Sequence, residues 1–184
     1  QNKKTYKVSL LGEHQAVNTA LALRAVEEIT AEYPVSEQAI KKALADIYWP
    51  GRMEKISEKP LIILDGAHNP AAFRELAKNI AHSASDFNDL HLVFSVLKDK
   101  DLDAILEQFI NFDLSPEFYL AENNSFRSVR LEKLIKSAAA KGFRYQSYKN
   151  LAEASSAALE NAGVNDLIIA AGSFNTVFGA GIYF

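Results

Sequence analysis

The spacing of apolar residues along this chain changes several times, and each change predicts an element. Val17, Leu21, Ala25 and Ile29 recur every four residues with Ala22 and Val26 beside them, the spacing of one amphipathic helix. Ser36 is placed to cap a second helix carrying Ile40, Ala43, Leu44 and Ile47. "YWPGR", Tyr48 to Arg52, then breaks the pattern, because Pro50 and Gly51 both disfavour a continuing helix. A domain boundary is predicted there, with a helical segment over 1–48 and a second domain over 49–184.

Beyond the boundary, short apolar runs alternate with helical stripes. Leu61–Leu64, "LHLVFSVL" (90–97), "EFYLAE" (117–122), "FRYQSY" (143–148) and "LIIAAG" (167–172) read as strands. Between them lie stripes on Phe73, Leu76, Ala77 and Ile80, on Leu102, Ile105, Leu106 and Phe109, and on Leu131, Leu134, Ile135 and Ala138. Ser128 is the expected cap of the last of these. Asn150 and Glu153 form a capping box for a further helix, closed by Gly163. Continuous apolar strands separated by helices mean a mostly parallel sheet covered on both faces. The fold class is therefore α/β, an open doubly wound sheet from Met53 onward, preceded by a short helical segment. Phe73, Phe94, Phe109 and Phe174 sit at core spacings and are expected to be packing residues.

Composition narrows the function classes. The 184 residues are 48% apolar and 23% charged, with a net charge of −3 and scattered basic residues, so no nucleic-acid face is advertised. No apolar window of about 18 residues exists, so no membrane span is expected. Cysteine is absent, which excludes disulfides and thiolate-held metal and fits a cytoplasmic protein. The first residue is Gln1 and no signal-peptide pattern follows it, so the chain reads as a piece of a longer protein.

The chemistry concentrates in "LIILDGAHNP", Leu61 to Pro70, where a buried strand runs into Asp65, Gly66, His68 and Asn69. Ligands in such sheets bind beyond the carboxyl ends of the strands. Asn69 suits a helix N-cap and Pro70 the first turn, with Gly66 expected to allow a tight turn. His68 would then lie just before a helix N-terminus, which favours an anion such as phosphate. Asp65 would repel phosphate and suits hydroxyls such as a ribose diol. An Asx cap and an Asp that satisfies backbone donors would account for the same residues without a ligand. No G-x-x-x-x-G-K-[ST] and no strand-linked G-x-G-x-x-G occurs, so any ATP phosphates must be held mostly by another segment.

"LLGEHQAVNTALAL" (10–23), "WPGRME" (49–54), "LDGAHNP" (64–70), "LKDKD" (97–101) and "GSFNTV" (172–177) occur in the order seen in folylpolyglutamate synthases and dihydrofolate synthases, relatives of the cell-wall Mur ligases. The chain resembles the C-terminal portion of that family over nearly its whole length. The resemblance implies a Rossmann-like C-terminal ligase domain preceded by a helical remnant of an N-terminal ATPase domain, which would be its partner and carry the P-loop and magnesium ligands. It implies ATP-dependent joining of L-glutamate to a folate through an acyl phosphate, and an inactive fragment when this portion stands alone.

By the same resemblance, Asn18 matches a position that contacts adenine and Arg52 the arginine that reaches the nucleotide phosphates. Asp65 matches the ribose-binding carboxylate, and His68 the histidine near the transferred phosphoryl group. Lys100 matches a lysine that stabilises charge or contacts substrate, and Ser173 the position near the incoming glutamate. His14 is given no role beyond orienting a helix start. "NNSFRS" (123–128) lacks the family's Pro-Arg-Ala, and Ser95 stands where a Gly is usual, so Arg127 receives no role. A Mur-type peptide ligase domain and a non-catalytic α/β binding module are the competing readings. The leading helices, cut from their partner, are expected to self-associate or to be mobile.

Overall fold

The structure is a computed structural model that describes residues 4–181 and 184. The chain divides into two compact units, residues 1–50 and 51–184. The first unit holds two helices, α1 (His14–Ile29) and α2 (Glu37–Asp46). Ser36 caps α2 as its sequence predicts, its hydroxyl accepting from Ala39 N at 3.1 Å. Backbone N–H of Ser9 donates to Leu44 O, and the Ser9 hydroxyl donates to Ile47 O, tying the leading segment to α2. The apolar stripe of α1 does not become a core: Gln15 is its one buried residue, and Val17, Leu21 and Ile29 are exposed.

The second unit is a six-stranded sheet with helices on both faces. Its elements are β1 (Glu54–Glu58), β2 (Leu61–Asp65), α3 (Pro70–His82), β3 (Leu90–Phe94), α4 (Leu102–Asn111), β4 (Glu117–Leu120), α5 (Leu131–Ala140), β5 (Tyr145–Ser147), α6 (Leu151–Asn161), β6 (Leu167–Ala171) and α7 (Phe174–Gly181). The strand order is β1-β2-β6-β3-β4-β5, parallel throughout except for β1, which pairs antiparallel with β2. The open, doubly wound, mostly parallel sheet is thus the one the apolar pattern predicts.

Side chains alternate between faces along each strand, which makes two cores. Ile63, Leu92, Phe94, Phe118 and Ile169 pack under α3, α4 and α5 on one face. Ile62, Leu64, Val93, Tyr119 and Ile168 pack under α6 and α7 on the other. On the first face Phe73, Phe94, Phe109 and Phe118 meet edge to face at 5.7–5.9 Å between ring centres.

Four expectations are corrected. β1 was not foreseen, because it is an exposed, charged edge strand with only Ile56 and Met53 to suggest burial. α7 was not foreseen either; Gly179 and Gly181 hide it, while Val177 and Ala180 bury its inner face. Ser128 does not cap α5. Its hydroxyl accepts from Asn123 N at 3.0 Å, and the first turn of α5 is capped instead by Glu122, whose Oε1 accepts from Leu131 N at 3.1 Å. Phe174 is not a core residue. It is 37% exposed at the start of α7.

Candidate functional site

The order of the strands locates the site. The connection after β2 runs over one face through α3, whereas β6, its neighbour, continues into α7 on the other face. Adjacent parallel strands whose chains leave to opposite faces open a crevice at their carboxyl ends. The loops after β2, β6, β3 and β4 meet at that edge, and they carry His68, Ser173, Lys100 and Arg127 in that order.

Close backbone approach builds the crevice floor. Gly172 has φ +124° and donates its N–H to Ala67 O at 2.9 Å; a Cβ there would stand 1.8 Å from Ser95 O. Only glycine allows β6 to leave the sheet so near β3. Gly66 serves packing rather than the tight turn expected of it. Its backbone φ is not positive, and a Cβ would stand 3.0 Å from the Phe174 ring. Ser95 fits where glycine is usual: it is fully buried, and its hydroxyl accepts from Asn123 N at 3.1 Å.

Asp65, 8% exposed, ends β2 and holds the chain on both sides of itself. Oδ1 accepts from Ala67 N at 2.8 Å, and Oδ2 accepts from Met53 N at 2.9 Å. The second bond pins the turn that contains Arg52, a turn with Gly51 at φ +69° and Met53 at φ +47°. Gly66 N donates to Gly51 O at 2.7 Å, and Gly51 N donates to Glu54 Oε2 at 2.7 Å. Arg52 leaves this turn with its guanidinium carbon 5.4 Å from the centre of the Phe174 ring, a cation–π contact. Phe174 in turn stacks on Phe178 at 6.0 Å.

His68 Nδ1 donates to Gly66 O at 2.8 Å, because a carbonyl can only accept. That bond fixes the ring and makes Nε2 the atom that can meet a ligand. Asn69 caps α3, its side chain accepting from Ala72 N at 2.9 Å, and Pro70 occupies the first turn, as the sequence predicts. Ser173, 4% exposed, caps α7. Its Oγ accepts from Thr176 N at 3.1 Å and donates to Thr176 Oγ1, which itself donates to Ser95 O at 2.9 Å. The Ser173 hydroxyl is thereby committed within the fold, and what it presents outward is the start of α7.

A cleft of about 280 Å³ opens here, lined by His68, Leu97, Lys100, Arg127, Ser173, Phe174 and Asn175. Lys100 Nζ lies 2.8 Å from Asp99 Oδ2, and Arg127 Nη2 lies 2.8 Å from Asp99 Oδ1. The Lys100 ammonium bonded to Asp99, aided by Arg127 and working against desolvation, lowers the Asp99 carboxyl to about 2. The structure thus brings His68, Lys100 and Ser173 to one cleft, with Arg52 and Asp65 at its Phe174 side. Arg127, left without a role by its motif, lines the same cleft.

Asn18 belongs to the first unit, exposed on α1, where its Nδ2 donates to Gln15 Oε1 at 3.1 Å. His14 begins the same helix, its Nε2 2.9 Å from Gln15 Nε2. Among the described residues, no three His, Cys, Asp or Glu side chains gather as a metal site, and no helix is long and apolar enough to cross a membrane.

The fold and motifs have counterparts among known proteins. The family described as Mur ligase, glutamate ligase domain, matches residues 51–174. A dihydrofolate synthase/folylpolyglutamate synthase of Mycobacterium tuberculosis is 39% identical over 131 residues, covering 68% of this chain and 26% of its own. The Escherichia coli protein of the same name is 31% identical over 160 residues, covering 87% of this chain and 36% of its own. Among solved structures, E. coli FolC in complex with DHPP and ADP aligns with a TM-score of 0.82 at 28% identity, over 98% of this chain and 40% of that one. A bifunctional folylpolyglutamate synthase/dihydrofolate synthase with Mn, AMPPNP and L-glutamate bound aligns with a TM-score of 0.78 at 28% identity. This chain therefore spans between about a quarter and two fifths of these three relatives. With the matched stretch running from the W-P-G-R turn through the last strand to the start of α7, the chain belongs to the Mur ligase family, as its glutamate ligase domain.

Proposed function

We propose that this chain is the C-terminal part of a two-domain, ATP-dependent ligase that joins L-glutamate to a folate by an amide bond. One observation carries the reading: at the switch point of a Mur-ligase sheet, a cleft gathers His68, Lys100 and Arg127 beside Arg52.

The chemistry has two steps. A folate carboxylate oxygen attacks the γ-phosphorus of ATP, and ADP leaves. The glutamate amine then attacks the acyl carbon, the tetrahedral intermediate collapses, phosphate departs and the amine gives up a proton. Both steps move negative charge, so fixed donors that meet it as it forms lower the barrier. Arg52, steadied on Phe174, reaches the nucleotide phosphates. His68 presents Nε2 to the transferred phosphoryl group. Asp65 ties the Arg52 turn to the strand end and accepts from the ribose hydroxyls. Lys100 offsets charge on the intermediate, and Ser173 holds the α7 N-terminus toward a carboxylate. Asn18 meets the adenine from the leading helices, which in this reading belong to an N-terminal ATPase domain.

In this reading the magnesium ligands and the P-loop, a motif this sequence lacks, lie on that other domain. The relatives' structures with ADP, or with AMPPNP and Mn, support a nucleotide and a divalent ion for the family. Acyl phosphates hydrolyse, so the two domains must close and exclude water.

The test is the full-length protein containing this chain, assayed with ATP, L-glutamate and either tetrahydrofolate or dihydropteroate. ADP release that requires both the folate and glutamate is expected, and this chain alone should release none. No folate-dependent and glutamate-dependent turnover from the full-length protein would overturn the reading.

A further inference from the structure

The apolar stripe of α1 lies in water while a polar residue beside it does not. Val17 and Leu21 are 63% and 65% exposed, and Gln15 is 7% exposed. A buried amide costs free energy unless it is hydrogen-bonded, so the bonds of Gln15 account for its place. Gly12, at φ +103°, turns the chain into the helix, and Gln15 N donates to Gly12 O at 3.0 Å. That turn sets His14 and Gln15 together at the start of α1, with Asn18 three residues on, over the same face as Gln15.

The three side chains form one run of hydrogen bonds. Asn18 Nδ2 donates to Gln15 Oε1 at 3.1 Å, and Gln15 Nε2 donates to His14 Nε2 at 2.9 Å. An amide nitrogen can only donate, so His14 Nε2 accepts and the ring carries its proton on Nδ1. That nitrogen is buried and has no partner among the described residues. Asn18 cannot turn its amide alone, because its Oδ1 would then face Gln15 Oε1, two acceptors together. Gln15 cannot turn alone either, because its Oε1 would face the accepting nitrogen of His14. Reversal needs both amides to turn and the ring proton to move, all at once.

Asn18 itself is exposed, and among the described residues its Oδ1 and its second Nδ2 hydrogen meet no partner. It thus presents a directed edge, an acceptor beside a donor. That edge complements a purine with an amino group at C6, whose N6 donates and whose N7 accepts. A purine with a carbonyl at C6 offers two acceptors there and meets Oδ1 with O6. An unrestrained Asn18 would swap its two atoms to relieve that clash. The bond to Gln15 opposes the swap.

Resting on the reading of Asn18 as the adenine contact, we propose that Gln15, backed by His14, is the positioning residue through which the enzyme selects a 6-aminopurine nucleotide over a 6-oxopurine one.

The experiment compares kcat and KM of the full-length ligase for ATP and for inosine triphosphate, which carries oxygen in place of the C6 amino group, at saturating folate and L-glutamate. The unaltered enzyme should prefer ATP in kcat/KM at least about tenfold, and no preference would overturn the inference. Gln15→Leu should lower that preference at least about fivefold by raising the KM for ATP, with kcat and the KM for inosine triphosphate within about twofold. Gln15→Glu keeps an acceptor against Asn18 Nδ2 and should retain most of the preference. Adding Gln15→Leu to Asn18→Ala should lower it no further than Asn18→Ala does. A residue that only supports the helix would raise both KM values together. That result, or an unchanged preference in Gln15→Leu, would overturn the inference while leaving the Asn18 reading intact, provided Asn18→Ala lowers the preference. An unchanged preference in Asn18→Ala would overturn both, as would an unaltered enzyme without folate-dependent and glutamate-dependent turnover. His14→Leu takes away the second bond of Gln15 and should lower the preference about two- to threefold. It decides the matter if Gln15→Leu does not fold, an unchanged preference again overturning the inference.

Discussion

Two helices of this molecule carry apolar residues at helical spacing and meet opposite fates. In α3, Phe73, Leu76, Ala77 and Ile80 are at most 3% exposed, because a sheet face lies beneath them. In α1, Val17, Leu21 and Ile29 are 63%, 65% and 52% exposed. Periodicity forecasts a helix and the face it will bury, but burial needs a partner surface. The unit of residues 51–184 supplies one from its own sheet. The unit of residues 1–50 holds helices whose apolar faces remain open, along with Tyr48 and Trp49 at 68% and 57%. Large side chains left in water at a potential gain of about 1.5–3 kcal/mol each mark a surface built for another body. In our reading that body is the ATPase domain, and a second copy of the chain is what the fragment would use in its place.

The contrast can be broken at four points. The largest effect is expected at Phe73→Ala, which empties the centre of the ring cluster formed with Phe94 and Phe109 and should cost about 3–5 kcal/mol in urea unfolding. A loss below about 1 kcal/mol would mean the second unit's core is looser than described.

Asp65→Ala comes next. It removes the acceptor for Met53 N and Ala67 N and should cost about 2–3 kcal/mol. In the full-length ligase it should also raise the KM for ATP, because the turn bearing Arg52 loses its anchor. An unchanged ATP KM together with a full loss of stability would make Asp65 a structural residue only.

Asp166 gives a pH-dependent test in the same unit. Its burial opposes ionisation, but N–H groups of Gly163 and Asp89 and the His91 ring outweigh that, and its carboxyl titrates below the ordinary range. A carboxyl whose folded pKa is depressed contributes stability above the unfolded value, about 3.9, and loses it as the pH falls toward the folded value. The Asp166→Asn variant should therefore show a shallower loss of stability below about pH 4, read from melts across pH 2–6.

The smallest effect is expected at Leu21→Ala, within about 0.5 kcal/mol in this chain. A larger loss would show that α1 buries its stripe after all. Sedimentation of the chain with and without Val17→Ser and Leu21→Ser should show that any self-association runs through this face. Association that survives both changes would place it elsewhere.

What the sequence made legible follows the same division. Strand β6 is a continuous apolar run, β2 is one up to Asp65, and β3 is broken only at His91, so their pattern names them as strands. The caps at Ser36, Asn69 and Asn150 act within three residues of themselves and were readable for that reason. The cap of α5 was not, because Glu122 reaches it from nine residues away while Ser128 turns to the Asn123 backbone. β1 stayed hidden because it is held by backbone pairing with β2 and buries none of its own side chains. Phe174 looked like core because spacing cannot distinguish a ring under a helix from a ring beside a cleft. In the site, D-G-A-H-N-P and W-P-G-R pointed to Asp65, His68 and Arg52, but not to the bond from Met53 N that joins the two motifs. The place of Arg127 depends on a ladder between two loops about 30 residues apart, and no local pattern encodes it.

The central claim is that the strand-end cleft of the second unit does the phosphoryl and amide chemistry of the full-length ligase. The most direct measurement is the steady-state turnover of His68→Ala in that protein, with ATP, folate and L-glutamate all saturating. In the proposed reading Nε2 of His68 meets charge that develops only as the reaction proceeds, so kcat should fall about 100-fold while the KM values for ATP and glutamate stay within about threefold. An unchanged kcat, with or without a raised KM, would contradict the account, because the cleft would then bind without taking part in the chemistry.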